Sequence, residues 1–342
     1  MKLIFFYLEI LLLKYYINIL NKVLVSKIYL KSNKHNITKK VLLSKIFEKL
    51  KKNQTYIKVL FIKRKGHFGN YFISINNAII YCEYLGCQKL IIEHNNEIFI
   101  NNTIFYKKYN FTIEPNQTIN YLDTNLIILN WMFFFYNNFK YSKNAIRFHI
   151  FKRQFLNNLP KILSHPNDLY IYIRGGDIFK EYKHSITRYP QPPLCFYMKI
   201  LDKFQFREVF IISEDKLNPV ISELLQRYSY IKYKKNNLKL DLSYLANAYN
   251  IAAGKSSFLM TIIKLNEKLK YLWDYDFYQL SERYLHLHYS VYKYSFYFTI
   301  YKMNSSKRYR KIMHRWINSP KQRKIMIKEK CQTYFDIIRG RY

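Results

Sequence analysis

The stretch "DLYIYIRGGDIFKEY", residues 168–182, decides how the rest of the chain is read, because an apolar run from Leu169 to Ile173 stops abruptly at Arg174-Gly175-Gly176-Asp177. The chain has only seven glycines in 342 residues, and two of them are adjacent here. A short apolar run bounded by glycine fits a strand covered on both faces, as in a parallel sheet.

Downstream the alternation continues. "PPLCFYMKILDKF" (192–204) predicts a helix with prolines in its first turn, "EVFIISED" (208–215) a strand, and "KLNPVISELLQRY" (216–228) a helix. "YIKYK" (230–234) reads as a strand, "LDLSYLANAY" (240–249) as a helix, "NIAAG" (250–254) as a strand, and "KSSFLMTIIKLNEKL" (255–269) as a helix followed by a short strand at "KYLW" (270–273). Upstream, "YIKVLFIK" (56–63) is a fully apolar strand, "RKGHFGN" (64–70) a break, "YFISINNAIIYCEYLG" (71–86) a helix and "QKLIIE" (88–93) a strand, which makes a βαβ unit. In that helix Phe72, Ile75, Ala78, Ile79, Cys82 and Leu85 form one stripe, with Gly86 placed for a left-handed cap. The run "NLIILNWMFFFYNNF" (125–139) has to be buried, but its period does not separate strand from helix.

Strands alternating with helices imply an α/β fold, two Rossmann-like doubly wound domains facing a cleft, with ligands at the carboxyl ends of the strands. The expected divisions are 1–55, an apolar segment and Lys/Asn-rich stem; 56–155, an N-terminal Rossmann-like domain; 156–285, a C-terminal one; and 286–342, a basic aromatic tail without a recognisable period. The first twenty residues are apolar but interrupted by Glu9 and Lys14, which fits a signal-anchor, a divergent signal peptide or a surface helix. Sequons at Asn36, Asn53, Asn101, Asn110, Asn116 and Asn304 fit a secretory lumen.

The formal net charge of +35 would suggest nucleic acid or an anionic membrane as partner. The chain is rich in Lys, Asn, Ile, Tyr and Phe and poor in Gly, Pro and Ala, as an AT-rich coding sequence would make it, so the charge alone does not name a partner. It is scattered except around "SSKRYRKIMHRW" (305–316) and "PKQRKIMIKEK" (320–330). Nucleic-acid binding therefore ranks low, since charge supplies affinity for phosphate but no specific site. The four cysteines, Cys82, Cys87, Cys195 and Cys331, show neither a zinc spacing nor a disulfide framework.

Three glycine- or serine-bearing breaks fall after strands. Gly66, Gly69 and Asn70 open the first helix, where free N–H groups make an anion site, although a tight turn explains them equally well. The spacing is neither that of a dinucleotide fingerprint nor that of a phosphate loop. Arg174 offers a planar fork that suits a diphosphate, Gly175 and Gly176 let amides approach the same oxygens, and Asp177 can orient the guanidinium or cap a helix. Ser256 and Ser257 can cap the helix after "NIAAG" and present hydroxyls to a second phosphate or sugar oxygen.

Together, "KGHFGNYFISINNAIIYCEYLGCQKLII", "YIRGGDIF" with "YPQPPLCFY", "VFIISED" and "AGKSSF" resemble successive blocks of fucosyltransferase-like glycosyltransferases, over about residues 57–280. The resemblance implies a two-domain GT-B fold and metal-independent, inverting transfer of a sugar, fucose from GDP-fucose in the family, to a glycan or glycoprotein acceptor in the Golgi or endoplasmic reticulum. It implies that Arg174 binds the β-phosphate with Asp177 in support, that Gly69 and Asn70 border the pyrophosphate, and that Ser256 and Ser257 contact donor oxygens. The family's histidine position is Tyr172 here, and a phenol cannot take an imidazole's proton role near neutral pH. Loss of that histidine leaves open a non-catalytic, carbohydrate-binding descendant. For the base that accepts the acceptor's proton, Asp177, Glu93, His94, Glu214 and Asp215 are all candidates. Two rival features are Asp274 and Asp276 in "WDYDF", an Asp-x-Asp of the metal-dependent type, and the "HLH" at His286–His288, which lacks a spaced carboxylate or Cys partner.

Overall fold

A computed structural model describes residues 59–63, 68–69, 71–72, 75, 78–79, 89–92, 104–106, 111–115, 126–130, 146–180, 191–254, 256–276, 298–332 and 334–339. The chain divides into two compact units.

The first unit carries β1 (Val59–Lys63), β2 (Lys89–Ile92), β3 (Ile104–Tyr106), β4 (Phe111–Pro115) and β5 (Leu126–Asn130) in one sheet of order β3-β4-β2-β1-β5. β1 runs parallel to β2 and β5, β2 parallel to β4, and only β3 is antiparallel. Leu126–Asn130 answers the ambiguity of the "NLIILN" run: it pairs along the whole of β1, an apolar strand beside another apolar strand.

The second unit holds Lys65–Asn76 and Phe139–Tyr342, so it takes in both the start of the first helix and residues 139–155, segments that the sequence assigns to the N-terminal domain. The reason is aromatic packing. Phe68 and Phe72 meet Phe151 and Phe155 of α1 (Ile146–Asn157), with Phe72 and Phe155 edge to face at 5.3 Å, and Phe68 reaches Phe258 at 6.0 Å. Such pairs each add about 1 kcal/mol beyond the area they bury.

Its sheet contains β6 (Leu169–Tyr172), β7 (Val209–Ile212), β8 (Ile231–Lys234), β9 (Asn250–Gly254), β10 (Tyr271–Asp276), β11 (Thr299–Asn304) and β12 (Asp336–Arg339), in the order β12-β11-β10-β9-β6-β7-β8. All neighbours are parallel except β11 and β12. Counted from β6, the parallel strands have the 3-2-1-4-5-6 order of the doubly wound mononucleotide fold, and the order reverses between β6 and β9.

The helices follow from local rules. α2 is the single turn Asp177–Lys180. α3 (Leu194–Lys203) starts after Pro192 and Pro193 and buries Leu194, Tyr197, Ile200 and Leu201 at spacings of three and four, while Asp202 and Lys203 stay in solvent. α4 (Pro219–Arg227) has Pro219 in its first turn, and the side chain of Asn218 accepts from Val220 N at 3.0 Å. α5 (Leu238–Asn247) is capped by Asn237, and α6 (Ser257–Leu265) by Ser256, each accepting the amide three residues on.

Residues 299–339, part of the stretch 286–342 read as a basic aromatic tail without a recognisable period, supply two strands of the sheet and two helices. β11 lies parallel to β10, α7 (Lys307–Met313) and α8 (Pro320–Lys328) follow, and β12 returns as the edge strand. Tyr309, Met313, Trp316 and Met326 are buried in the same core as Leu169 and Ile211. α8 starts with a reciprocal capping box between Ser319 and Gln322. The cysteine reading is also corrected: Cys195, at the start of α3, forms a disulfide with Cys331, 136 residues later. The sequon at Asn304 is used internally, since its Nδ2 donates to Asp336 at 2.6 Å. The other sequons, Cys82, Cys87, Glu9 and Lys14 lie outside the described residues.

Candidate functional site

In an open α/β sheet the ligand crevice lies outside the carboxyl ends of the strands, where the strand order reverses. Here that point is flanked by the ends of β6 and β9, whose register sets Tyr172 opposite Ala253. Arg174 therefore leaves one strand where Gly254 closes the other. Two of the three breaks singled out in the sequence, Arg174–Asp177 and Ser256–Ser257, thus start at adjacent strand ends.

The third is drawn to the same place. A Cβ on Gly69 would stand 2.5 Å from Phe258 N and 2.6 Å from the carbonyl carbon of Ser257, and the Gly69 carbonyl accepts from Thr261 Oγ1 at 3.2 Å. Gly69 is thus spent on bringing its own turn against the backbone at the start of α6. A close approach to protein backbone explains this glycine without a ligand. Gly66, Asn70, Glu93, His94 and the His286–His288 pair lie outside the described residues.

Arg174 is held on both sides. Its carbonyl accepts from Asn218 Nδ2 at 3.1 Å, and its Nη2 donates to Asp177 Oδ1 at 3.2 Å, with the Arg174 side chain 15% exposed. Asp177, more open, starts the single turn of α2. The glycine pair is packed against the end of β7. A Cβ on Gly175 would lie 2.5 Å from Asp215 Oδ1; Gly176 has φ +70° and faces Glu214. Gly176 N donates to Asp215 Oδ2 at 3.1 Å, Leu217 N donates to Oδ1 at 3.0 Å, and Ser213 Oγ donates to the Asp215 carbonyl at 2.9 Å. Asp215 is therefore a clamp between two loops, and the Gly176 amide is occupied by protein. Glu214 beside it is exposed.

The residue that sequence reasoning missed is Asp241, in the first turn of α5. It is 7% exposed, accepts from Asn236 Nδ2 at 3.1 Å, and has its pKa pushed up to about 6, chiefly by burial and further by the charge of Glu214. An Asp one turn into a helix that begins at a strand's carboxyl end was the available signal. Tyr172 sits among these groups. Burial raises its phenol well above the usual range, with Arg174 pulling the other way and Glu214, Asp241 and Asp177 adding to the rise. Its ring meets Phe258 at 4.9 Å. It is a neutral hydrogen-bond donor at every physiological pH. The Tyr197 hydroxyl is buried with no partner among the described residues, and its pKa is raised by burial and by Tyr172.

Ser256 Oγ accepts from Leu259 N at 3.0 Å and so takes one first-turn amide of the nine-residue α6, whose N-terminus carries the positive end of the helix dipole. Gly254 is needed for a different reason: a Cβ there would meet Pro192 at 2.6 Å, which wedges the Pro-Pro start of α3 against the end of β9. Asp274 is 3% exposed, within β10 and in register with Lys302, so it belongs to the sheet interior. Among the described residues no group of three His, Cys, Asp or Glu side chains is placed to hold a metal ion, and no helix is long and apolar enough to cross a membrane. Neither a family model, nor a curated protein, nor a solved structure matches this chain.

Proposed function

We propose that the second unit binds the diphosphate of a nucleotide sugar at the carboxyl edge between β6 and β9 and transfers the sugar to a glycan or protein acceptor. Fucose from GDP-fucose is the donor that the sequence resemblance favours, and a metal-independent, inverting GT-B enzyme is the class. The observation that carries this reading is that the loop bearing Arg174 and the helix α6 leave neighbouring strand ends where the strand order reverses.

The chemistry follows from charge. When a nucleotide diphosphate leaves, negative charge grows on its β-phosphate while the sugar turns oxocarbenium-like, so a fixed guanidinium and preorganised amides favour the transition state over the ground state. Arg174, aimed by Asp177, and the positive end of the α6 dipole supply that field. Tyr172 contributes a neutral O–H and no titration. Asp241, with a pKa of about 6, is tuned to accept a proton from an acceptor hydroxyl near neutral pH, in the way general bases are. The Cys195–Cys331 disulfide supports residence in an oxidising lumen of the secretory pathway.

A second reading, a sugar-binding descendant without turnover, is favoured by the phenol at 172 and by the use of the Gly176 amide in a protein contact. One experiment separates the two. Purified chain is titrated calorimetrically with GDP, UDP and ADP, and donor hydrolysis is followed with GDP-fucose. The transferase reading expects GDP binding and turnover, with Arg174→Ala losing about 2–4 kcal/mol of transition-state stabilisation. Binding without turnover selects the descendant, and an unaltered rate in the Arg174 variant removes the assigned site.

A further inference from the structure

Among the described residues a dense run of positive charge lies outside the crevice. The whole chain has 57 Lys and Arg against 22 Asp and Glu, but residues 307–330 hold ten against one, Glu329, and that carboxylate accepts from Ser306 Oγ at 2.5 Å. What sets this stretch apart is density: ten of its 24 residues are Lys or Arg, against 57 of 342 in the whole chain.

The charges are also ordered. On α8, Lys321, Lys324 and Lys328 are exposed at spacings of three and four while Gln322 and Met326 face the core. On α7, Lys307, Arg308 and Lys311 are exposed, and Tyr309 and Met313 are buried. Among the described residues none of these six cations makes an ion pair. The two helices pack together, and the segment is tied to the crevice. Arg323 Nη2 donates to the Phe179 carbonyl at 2.8 Å and Trp316 Nε1 to the Ile178 carbonyl at 3.0 Å, both on α2, the turn that begins with Asp177.

We propose that the outward face of α7 and α8 is a docking surface for an acidic glycan, and that this glycan is the acceptor presented to the crevice beside α2. The acceptor role rests on the transferase reading above; the docking surface does not. Three observations favour a glycan over other polyanions. Tyr309 and Trp316 are buried, so residues 307–330 expose no Tyr, Trp or Phe ring on which single-stranded nucleic acid could stack. No large apolar side chain of residues 307–330 is exposed, so the helices have no wedge to enter a bilayer. The disulfide suits an oxidising lumen, where acidic glycans abound and nucleic acid does not.

The test uses the full chain with its disulfide intact and a labelled heparin oligosaccharide, followed by fluorescence anisotropy. Lys321→Glu/Lys324→Glu/Lys328→Glu is expected to weaken binding by about tenfold or more and to reduce the slope of log affinity against log salt by about two to three. The neutral triple Lys321→Gln/Lys324→Gln/Lys328→Gln should give a smaller loss of the same sign. A control, Lys161→Glu/Lys235→Glu/Lys268→Glu, makes the same change in net charge at exposed positions elsewhere and should cost less than about threefold. Equal losses in the stripe and control variants would mean that binding follows net charge, and would overturn the proposal. So would absence of heparin binding, or tighter binding of phosphatidylserine vesicles or single-stranded RNA than of heparin at equal ionic strength. GDP binding should be unchanged in the stripe variant. If the wild type binds heparin through the stripe but no nucleotide diphosphate, the transferase reading falls and takes the acceptor role with it, while the surface stands.

Discussion

The amide of Gly176 donates to the carboxylate of Asp215 at 3.1 Å, across 39 residues of chain, and this bond sets the shape of the loop that carries Arg174. Because Gly176 has φ +70°, Gly176→Ala should lower stability by about 1–2 kcal/mol in urea unfolding, the cost of a left-handed L-residue. The nearest obstacle, the end of the Glu214 side chain, can swing aside. Asp215→Ala should cost about 1–3 kcal/mol because two amides lose their acceptor, whereas Asp215→Asn should recover part of the loss.

Gly69 makes a sharper case, since the atoms in the way are backbone. An added methyl would press on Phe258 N and the Ser257 carbonyl carbon, so Gly69→Ala has to push the first turn of α6 outward. Destabilisation of about 2–3 kcal/mol is expected, with nucleotide-diphosphate binding weakened further than stability alone explains. Calorimetric titration at a temperature where the variant is fully folded checks it. Unchanged affinity would separate Gly69 from the crevice.

Lys264, near the end of α6, is 7% exposed, its Nζ has no partner among the described residues, and burial brings its pKa down to about 8. A lowered folded-state value means that the unfolded chain holds more protons, so stability should rise as pH increases from about 8 toward 10. Above that range the buried tyrosines, raised by burial, reverse the trend because only the unfolded state ionises them readily. Lys264→Met should flatten the rise and add about 1–3 kcal/mol at pH 7, as removal of an uncompensated buried charge does. Urea midpoints of both proteins at pH 7, 8 and 9 decide it.

Reduction of Cys195–Cys331 reopens a loop of 136 residues, for which chain entropy alone predicts a loss of about 5 kcal/mol; measured disulfides more often give 2–5. Thermal unfolding of Cys195→Ser/Cys331→Ser against wild type measures it. A loss below about 1 kcal/mol would mean that the C-terminal segment is held by packing alone.

How much of this was legible in the sequence depended on range. The strands β6 to β10 and the helices between them were readable, because each apolar run is bounded by its own Pro, Asn, Ser or Gly and local rules suffice. The breaks that follow β6 and β9 were readable for the same reason. What the sequence hid is non-local. α7 and α8 bury only a few positions each and expose a run of cations, so their pattern resembles a solvated tail until β10 offers β11 a partner. The Cys195–Cys331 bond has no spacing signature. The occupation of the Gly176 amide, and the burial that tunes Asp241, arise from contacts with β7 and α5 that no window of residues contains.

The bridge between residues 195 and 331 also imposes an order on biosynthesis. A ribosome delivers the first sulfur 136 residues before the second, so Cys195 waits as a thiol while that stretch emerges. A premature stop before codon 331 would leave it permanently unmatched beside the Pro-Pro wedge, open to mixed disulfides with an oxidoreductase. Truncated products should therefore be recognisable by their alkylation.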